Sequence, residues 1–448
     1  MLFHPQHQRR TLAALGLLAV GTLALTACSS GGGDAASIDP AATPSTPDGP
    51  FGSFPGSSLT LSRWAGDPWT AGQTEAAASW GESTGGDITI DAVPYENLHD
   101  KEALTLSSGS DFDIVYVHPS WFGEYVDAGY LAPIDDYLAD PSRNPSGFSA
   151  DSYRPDVLAQ GASDGVQYCL PDFVSTIVAA YRTDLFDAAG IPAPKTVDDL
   201  LAAAKQLDGQ NGTSGIVFPG KRTGAVSDVF GSLLTAQDNW WFGADGAPTL
   251  DDKAATAALD FFTEGAKYAP EGLLNFAVDD AATAAATGTA AIVVDTTPAL
   301  SALEDPAKSS TAGKWAYVPL AFDADNPAGE LIYWNWCISA NSNNKDAAYS
   351  FLQYYTDTAQ QAKVAVSSAT LGATKDFYDD AEVTAKLPFL PAVNEALTNS
   401  NPQPSSSDWP KIQDQIETAV QDAISGTKSS ADAVSAMQAA LATLQPTK

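Results

Sequence analysis

Segments with strand-like and helix-like patterns alternate along most of this chain. Between residues 87 and 93, β-branched residues alternate with polar ones, which predicts a strand, and the short apolar run 113–117 predicts another. Thr196, followed by two aspartates in what would be a first turn, predicts a helix start, because carboxylates there suit the helix dipole. Repeated along the chain, this alternation predicts an α/β architecture with mostly parallel sheets.

The same criteria predict further elements. The other predicted strands lie at 59–61, 214–219, 290–294, 315–319 and 331–339. The other predicted helices lie at 71–80, 253–268, 344–355, 409–425 and 431–444. A stretch rich in Pro, Ser and Asn at 399–407 is interpreted as a loop, and the chain shows no internal repeat.

The first residues have the composition of an export signal. Arg9 and Arg10 precede an apolar run, 11–25, that is shorter than the about 20 residues needed to cross a bilayer. Leu25-Thr26-Ala27-Cys28 closes the run and looks like the lipobox of bacterial lipoproteins, in which the cysteine is acylated after cleavage. The alternative is a cleavage site that merely contains a cysteine. The sequence therefore predicts a signal peptide over 1–27 and a lipid anchor at Cys28.

Composition separates a tether from a folded body. Residues 29–58 are rich in Ser, Gly, Pro and Ala, so 28–58 is predicted to be a lipidated, flexible tether. The remainder is long enough for two lobes. Loss of residues 1–27 changes the formal charge from −33 to −35, which disfavours nucleic acid as a partner. A hydrophobic content of 44% still provides a large core.

Two cysteines remain besides Cys28, and they are far apart in sequence. Because an exported protein folds in an oxidising compartment, we favour a disulfide between Cys169 and Cys337. Two separate buried thiols are the alternative, and the residues alone leave both open.

Signatures of catalysis are missing from the sequence. No Gly-x-Ser-x-Gly stretch lies between a predicted strand and a predicted helix, as a nucleophile elbow requires, and the sequence contains no phosphate-binding glycine loop. The histidines outside the signal peptide, His99 and His118, lack metal-ligand spacing, so neither a metal nor a cofactor is predicted. Its 55 acidic residues make any single carboxylate pair uninformative, and adjacent pairs such as Asp198-Asp199 suit helix caps. We therefore predict that the chain is not an enzyme.

Tryptophans stand out instead, at predicted strand ends and loops. In α/β sheets these positions face ligands, and aromatic rings pack against the C–H faces of sugars. Each one taken alone is more often a core residue. The group consists of Trp64, Trp69, Trp121, Trp240, Trp241, Trp334 and Trp336.

The run Asp113-Ile-Val-Tyr-Val-His-Pro-Ser-Trp-Phe-Gly-Glu-Tyr, continued through 129–137, resembles the extracellular solute-binding proteins of ABC sugar importers, the group that includes maltose-binding protein. The resemblance extends in order through 165–171, 180–190, 194–201, 288–295 and 338–352. These segments cover nearly all of the chain after the tether. They identify the superfamily but give little information about which ligand is bound.

The resemblance implies a periplasmic-binding-protein-like fold, with two α/β lobes joined by hinge strands around a central ligand cleft. It places the N-terminal lobe at 59–170 plus 337–382 and the C-terminal lobe at 171–336 plus 383–448. Both cysteines would then lie beside crossings between the lobes, which favours their pairing. The family usually has small or apolar residues at these two positions.

Carried over position by position, the resemblance implies a set of ligand-binding residues from both lobes. They are Asp67, Trp69, His118, Ser120, Trp121, Ser175, Trp241, Asp295, Thr296, Trp334 and Lys375. Among them, Trp241 and Trp334 are expected to be stacking platforms. Lys375 stands where relatives often carry an arginine, and Pro298 stands where maltose-binding protein has a tryptophan.

The functional expectation is a lipoprotein that captures a mono- or oligosaccharide by lobe closure and delivers it to a separate permease and ATPase. It would be a monomer anchored by Cys28 to the outer face of the cytoplasmic membrane. Another polar ligand, such as a polyol or glycerophosphodiester, is an alternative. An exported carbohydrate-active enzyme is a more distant one.

Overall fold

The computed structural model describes residues 50–65, 69–109, 111–144, 148–243, 246–368, 370–406 and 408–443. The predicted signal peptide, Cys28 and most of the predicted tether lie outside these residues. Within them, every helix is too short or too polar to cross a membrane. Residues 46–448 form one compact unit.

Strands and helices alternate through the described chain. The strands are β1 (Ser58–Trp64), β2 (Asp87–Val93), β3 (Ile114–Val117), β4 (Ala162–Ser163), β5 (Val166–Gln167), β6 (Cys169–Ser175), β7 (Ile177–Arg182), β8 (Ile292–Thr296), β9 (Trp315–Pro319), β10 (Glu330–Ile338) and β11 (Asn401–Pro402). The helices are α1 (Trp69–Thr84), α2 (Tyr95–Ser107), α3 (Pro119–Asp127), α4 (Asp135–Ala139), α5 (Pro155–Leu158), α6 (Thr183–Ala189), α7 (Val197–Leu207), α8 (Ala225–Thr235), α9 (Asp252–Gly265), α10 (Val278–Ala286), α11 (Thr297–Leu300), α12 (Lys345–Thr356), α13 (Thr358–Ser368), α14 (Ala381–Lys386), α15 (Leu390–Ala396), α16 (Trp409–Ile424) and α17 (Ser430–Leu441).

The first lobe is built on a sheet in the order β11-β10-β3-β1-β2, with β6 paired to β10. Strands β1, β2 and β3 are parallel, as the alternating pattern predicts. Strand β10 is antiparallel to both β3 and β6. Helix α1 packs against β2, α12 and α13. The predicted strand over 87–93 is confirmed at both ends.

The second lobe contains a three-stranded sheet in the order β8-β7-β9. Both pairings in it are antiparallel, so the expectation of mostly parallel sheets is wrong for this lobe. The strand predicted over 214–219 forms only isolated parallel bridges, from Ser214 to Ala290 and from Val217 to Val293. Residues 399–407, predicted to be a loop, contain the two-residue strand β11 paired with the start of β10.

Local signals set the helix ends. Thr196 caps α7: its hydroxyl accepts a bond from the Asp199 N–H, and the Asp199 carboxylate accepts one from the Thr196 N–H. This reciprocal capping box agrees with the helix start predicted from the sequence. Asp380 similarly caps α14 by accepting bonds from two N–H groups of its first turn. The acidic pairs at these positions therefore stabilise helix starts.

Strands β6 and β10 join the two lobes. Strand β6 pairs with β10, and β7 begins two residues after β6 ends, in the sheet of the second lobe. Cys169 and Cys337 face each other in this pairing and form a disulfide, with their Cα atoms 4.3 Å apart. The predicted pairing of the cysteines is thus confirmed, and the bond lies within the connecting strands.

The packed part of the chain begins before the predicted boundary at residue 58. The Phe54 ring stacks on Trp80 at 6.0 Å, and Phe51 meets Tyr354 edge to face at 5.0 Å. The Phe54 N–H also donates to the Thr84 carbonyl. These contacts attach the residues just before β1 to the first lobe.

Candidate functional site

Four aromatic side chains of the first lobe and one on the connecting strand β10 form what we call the aromatic cluster: Trp64, Tyr116, His118, Trp121 and Trp334. The Trp334 ring centroid lies 4.6 Å from that of Tyr116 and 4.8 Å from that of His118. Trp121 meets Trp334 edge to face at 5.5 Å, and Trp64 lies at 6.2 Å. The cluster forms because β1 and β3 are parallel neighbours that end at Trp64 and just before His118.

His118 is a neutral imidazole that caps α3. Its Nδ1 accepts a bond from the Ser120 N–H at 3.3 Å and contacts the Ser120 hydroxyl at 2.7 Å. Burial lowers the pKa of His118 to about 3, and the nearby His99 contributes further. Because Nδ1 accepts the backbone bond, the ring carries its proton on Nε2. The structure thus brings His118, Ser120, Trp121 and Trp334 together, with the Ser120 hydroxyl bonded to His118.

A buried polar network adjoins the aromatic cluster and was missed by the sequence analysis. Arg63 is fully buried, and its guanidinium lies 5.3 Å from the Trp64 ring centroid while donating to Gln73 Oε1. Gln73 in turn donates to Asp172 Oδ2 at 3.3 Å, and the Tyr116 hydroxyl donates to the same oxygen. Burial raises the pKa of Asp172 to about 6, opposed by the Tyr116 bond and the Arg63 charge.

Ser175, Asp295 and Thr296 lie at the entry to the second lobe. The Ser175 hydroxyl is 2.9 Å from that of Thr297, just past the end of β8. Asp295 is completely buried, and its Oδ1 accepts a 2.7 Å bond from the Thr296 N–H. Its Oδ2 has no partner, and burial raises its pKa well above the usual range. The structure thus places these three predicted residues near one another.

Trp241 is buried in the second lobe. Its ring stacks on Phe230, with centroids 5.5 Å apart, and meets Trp409 at 5.5 Å. The expected role as an open stacking platform therefore disagrees with this structure, because the indole is completely buried between Phe230 and Trp409. Its Nε1–H has no hydrogen-bond partner among the described residues.

Four carboxyl groups are buried on elements around β8, α8, α16 and the start of β10; we call Asp228, Asp295, Glu330 and Glu417 the buried acid group. Of these four residues, only Asp295 was selected from the sequence. Burial and the Glu417 charge raise the pKa of Asp228 to about 8. Burial also raises the pKa of Glu417 to about 7, although its Oε1 accepts a 2.8 Å bond from the Gly224 N–H. The pKa of Glu330 is raised well above its usual range by burial and by Asp228.

One of the predicted residues, Lys375, is not joined to these groups. Lys375 is exposed, and its Nζ donates to the Asp151 carbonyl at 2.7 Å, because its own backbone N–H donates to the adjacent Ser152 carbonyl at 2.9 Å. Trp69 begins α1. Asp67 lies outside the described residues.

Strand β10 connects the aromatic cluster to the buried acid group. Glu330 and Trp334 lie on it four residues apart, and alternate residues of a strand share a face. At about 3.3 Å per residue, their Cα atoms are separated by roughly 13 Å. One strand therefore presents a carboxyl and an indole toward the same side. In the described part of the chain, no three His, Cys, Asp or Glu side chains are grouped to hold a metal ion.

The family model for bacterial extracellular solute-binding proteins matches residues 66–362. A mannitol-binding protein of Pseudomonas aeruginosa is 28% identical over 330 residues, covering 70% of this chain and 74% of that protein. The structure resembles maltose-bound T. maritima MalE3, with a TM-score of 0.77 and 22% identity over 87% of this chain and all of that one. It also resembles an Agrobacterium radiobacter K84 ABC transporter solute-binding protein in complex with ribitol, with a TM-score of 0.76 and 26% identity over 86% and 98% of the two chains.

Proposed function

This chain belongs to the bacterial extracellular solute-binding proteins, and from that premise we propose that it captures a small, uncharged, polyhydroxylated solute for an ABC importer. The solute is a sugar or an acyclic polyol. The chain is a binding protein and not an enzyme, in agreement with the sequence analysis.

The observation that carries this proposal is the pairing of an aromatic cluster with buried polar groups along β10. Flat C–H faces of a sugar, or the carbon chain of a polyol, pack against indole rings such as those of Trp121 and Trp334. Hydroxyl groups need fixed donors and acceptors around them, and such sites hold few polar groups on an apolar lining. On the single strand β10, Trp334 supplies an aromatic surface and Glu330 supplies a polar group.

The relatives support the polyol, which the sequence analysis gave as an alternative to a mono- or oligosaccharide. The relative from P. aeruginosa is named for mannitol, and the A. radiobacter structure contains ribitol. The maltose-bound neighbour, at 22% identity, informs the fold only.

Capture is proposed to proceed by closure of the two lobes about β6 and β10, followed by release to the permease. The lobe boundaries at 59–170 plus 337–382 and 171–336 plus 383–448 remain part of this proposal. So do the signal peptide over 1–27, the monomeric state and attachment to the outer face of the membrane through Cys28.

A thermal-shift screen of residues 46–448 tests the proposal directly. The panel contains D-mannitol, ribitol, erythritol, D-glucose, maltose and maltotriose, with sn-glycerol 3-phosphocholine as the charged comparison. A solute that binds only the folded protein raises its melting temperature by mass action, and calorimetric titration then gives the affinity. We expect a shift with a polyol or monosaccharide. The absence of any shift with the uncharged solutes, using protein refolded to remove trapped ligand, would contradict the proposal.

A further inference from the structure

Asp172 is the extra residue of a β-bulge on the connecting strand β6. Phe173 lies opposite Trp334 of β10. Pro171 lies opposite the next residue of β10, Asn335, so the register leaves Asp172 without a residue opposite it. A bulge of this kind bends the strand and redirects the side chain of the extra residue. Asp172 therefore directly precedes the residue that pairs with Trp334, on a strand that passes between the lobes.

The Asp172 carboxyl is buried in the first lobe, and three elements bind this residue. Its Oδ2 accepts bonds from the Tyr116 hydroxyl of β3 and, at 3.3 Å, from Gln73 Nε2 of α1. Its backbone carbonyl accepts a 3.0 Å bond from Gln361 Nε2 of α13. The oxygen of that same amide accepts a 3.0 Å bond from the Ala373 N–H. The bulge is thus fixed to the first lobe by side chains from β3, α1 and α13.

Arg63 of β1 supplies the positive charge that balances the Asp172 carboxylate. It donates to Gln73 Oε1, and Gln73 donates to Asp172, so one amide bridges the two buried charges. Tyr116 and Tyr355 of α12 are the other titratable groups that face the carboxyl. Burial raises the pKa of Asp172 to about 6, so the carboxyl is ionised in neutral solution. Removing one of two paired buried charges leaves the other uncompensated.

Tyr116 connects this arrangement to the aromatic cluster. Its ring centroid lies 4.6 Å from that of Trp334, with 21° between the planes, and 4.3 Å from that of Trp336. The Arg63 guanidinium lies 5.7 Å from the same centroid. The bond to Asp172 fixes the hydroxyl end of the Tyr116 ring. The orientation of Tyr116, and of the Trp334 indole stacked on it, therefore depends on that carboxylate.

We propose that Asp172 is a positioning residue for solute binding, which orients the Trp334 stacking surface through the Tyr116 hydroxyl and ties that surface to the connecting strand β6. The proposal rests on the proposed function, in which Trp334 contacts the solute. Asp172 acts through Tyr116, because its own side chain is enclosed by first-lobe elements. A surface that is already oriented avoids the entropy cost of ordering it when the solute binds. Without the bond, the solute would have to order both rings, and affinity would fall.

A pair of tyrosine variants tests this role. Tyr116→Phe removes the hydroxyl that Asp172 holds but keeps the ring and both buried charges. Its affinity for D-mannitol, or for the panel solute with the largest thermal shift, should fall about tenfold in calorimetric titration. Tyr125→Phe is the matched control, because Tyr125 is also buried and donates to a buried carboxyl, Glu102 Oε2, at 3.2 Å, but stacks on His99. Its affinity should equal that of the wild type. Unchanged affinity in Tyr116→Phe, or equal losses in both variants, would overturn the positioning role.

A double-mutant cycle identifies the bond through which Asp172 acts. Asp172→Asn should also weaken binding about tenfold, and its combination with Tyr116→Phe should bind no more weakly than either single variant, because both changes remove the same interaction. A loss in the double variant equal to the product of the two single losses would overturn the proposal. If Asp172→Asn fails to fold because Arg63 loses its counter-charge, the paired tyrosine variants decide the question alone.

The pH dependence of affinity is a readout that a purely structural role would not change. A carboxylate is a stronger acceptor for the Tyr116 hydroxyl than a neutral group, so wild-type affinity should fall as Asp172 gains a proton between about pH 7 and about pH 5. The affinities of the wild type and Asp172→Asn should converge at the lower pH. Other groups titrate in both proteins, so the difference between the two profiles isolates Asp172.

The two proposals fail in different ways. Parallel pH profiles for the wild type and Asp172→Asn would overturn the positioning role and leave the proposed function intact. Failure of the wild-type protein to bind any uncharged solute of the panel would overturn the proposed function, and the positioning role with it.

Discussion

Burial determines what individual polar side chains of this protein can contribute. His118 is kept neutral by burial and is oriented by its bonds to Ser120, so it presents a fixed ring to Trp334. Trp241 is stacked on Phe230 and retains only its indole N–H for other partners. Lys375, in contrast, is exposed and bonded to a backbone carbonyl. The burial or exposure of each of these side chains thus decides which role it can take.

Substitution of Trp334 should weaken ligand binding more than it weakens folding of the first lobe. We expect Trp334→Phe to reduce affinity for the best solute of the screen by about tenfold, because aromatic contacts contribute about 0.5–1.5 kcal/mol beyond area burial. Trp315→Phe is the matched control: its residue is 8% exposed, against 6% for Trp334, but lies on β9. Calorimetric titration checks both, and equal losses of affinity would exclude a direct role for Trp334.

The stability of the unliganded protein should fall as the pH rises from about 4 to about 8. Asp228 has a folded-state pKa raised to about 8, above its unfolded value of about 3.9, so the folded state binds more protons across this window. Its contribution is complete below the unfolded pKa and is lost as the pH passes the folded one. Denaturant unfolding at several pH values measures how the free energy of unfolding changes with pH. Each proton that the folded state binds and the unfolded state has lost lowers this free energy by about 1.4 kcal/mol per pH unit.

Asp228→Asn should flatten that slope, because the asparagine does not titrate. Asp260→Asn, a change on the exposed side of α9, serves as the control and should leave most of the slope in place. A wild-type protein whose stability is constant or rises across this range would contradict the assignment of protonated carboxyls to the buried acid group.

Among the elements, β10 has the most connections. It pairs with β3, β6 and β11, carries the disulfide, and presents both Glu330 and Trp334. Every residue of this nine-residue strand is buried. Because β10 is paired on both sides, the positions of its side chains are fixed. The candidate site would therefore keep a rigid base during the proposed closure of the lobes.

Removal of the disulfide should destabilise the protein without abolishing binding. The bond closes a loop of 168 residues, and loss of a native disulfide costs about 2–5 kcal/mol. We expect a Cys169→Ala/Cys337→Ala variant to unfold at lower denaturant concentration, and to bind its solute at a temperature where it remains folded. The wild-type protein in reducing denaturant should behave like the variant. Identical midpoints for oxidised wild type and variant would show that the bond contributes nothing.

For the whole molecule, the two-lobed fold and the acidic charge set how the protein works at a membrane. With a formal charge of −33 in the full chain, the protein is repelled by anionic surfaces, so its attachment to a membrane would depend on the proposed lipid anchor at Cys28. The proposed closure of the two lobes around a solute would be a hinge motion at the strands that connect them. Both properties suit a protein that captures a solute beside a membrane.

Replacement of the proposed lipid-bearing residue should release the protein from the membrane. We expect Cys28→Ser, expressed in a bacterium with its native signal, to move from the detergent phase to the aqueous phase in Triton X-114 partition. Its affinity for the solute should be unchanged, because the binding unit comprises residues 46–448. Detergent partition of the variant at the wild-type level would contradict anchoring through Cys28.

Local pattern was sufficient for the elements and for the family. Side-chain periodicity and short-range hydrogen bonds depend only on residues that are close together in the sequence. They were sufficient to predict the strand at 87–93, the capped start of α7 and the family resemblance around residues 113–125. His118, Trp121 and Trp334 could also be selected in advance, because strand ends in α/β sheets converge. The sequence by itself therefore determined the fold class, the family and three of the five members of the aromatic cluster.

Tertiary structure alone decided the rest. The antiparallel sheet of the second lobe, the burial of Trp241 and the meeting of Asp228 with Glu330, 102 residues later, depend on contacts between distant segments. No local pattern marks an acid that is buried without a counter-charge, since most of the chain's acids are caps or solvated. Whether a carboxyl serves as a cap or as a ligand contact is set by which other elements cover it.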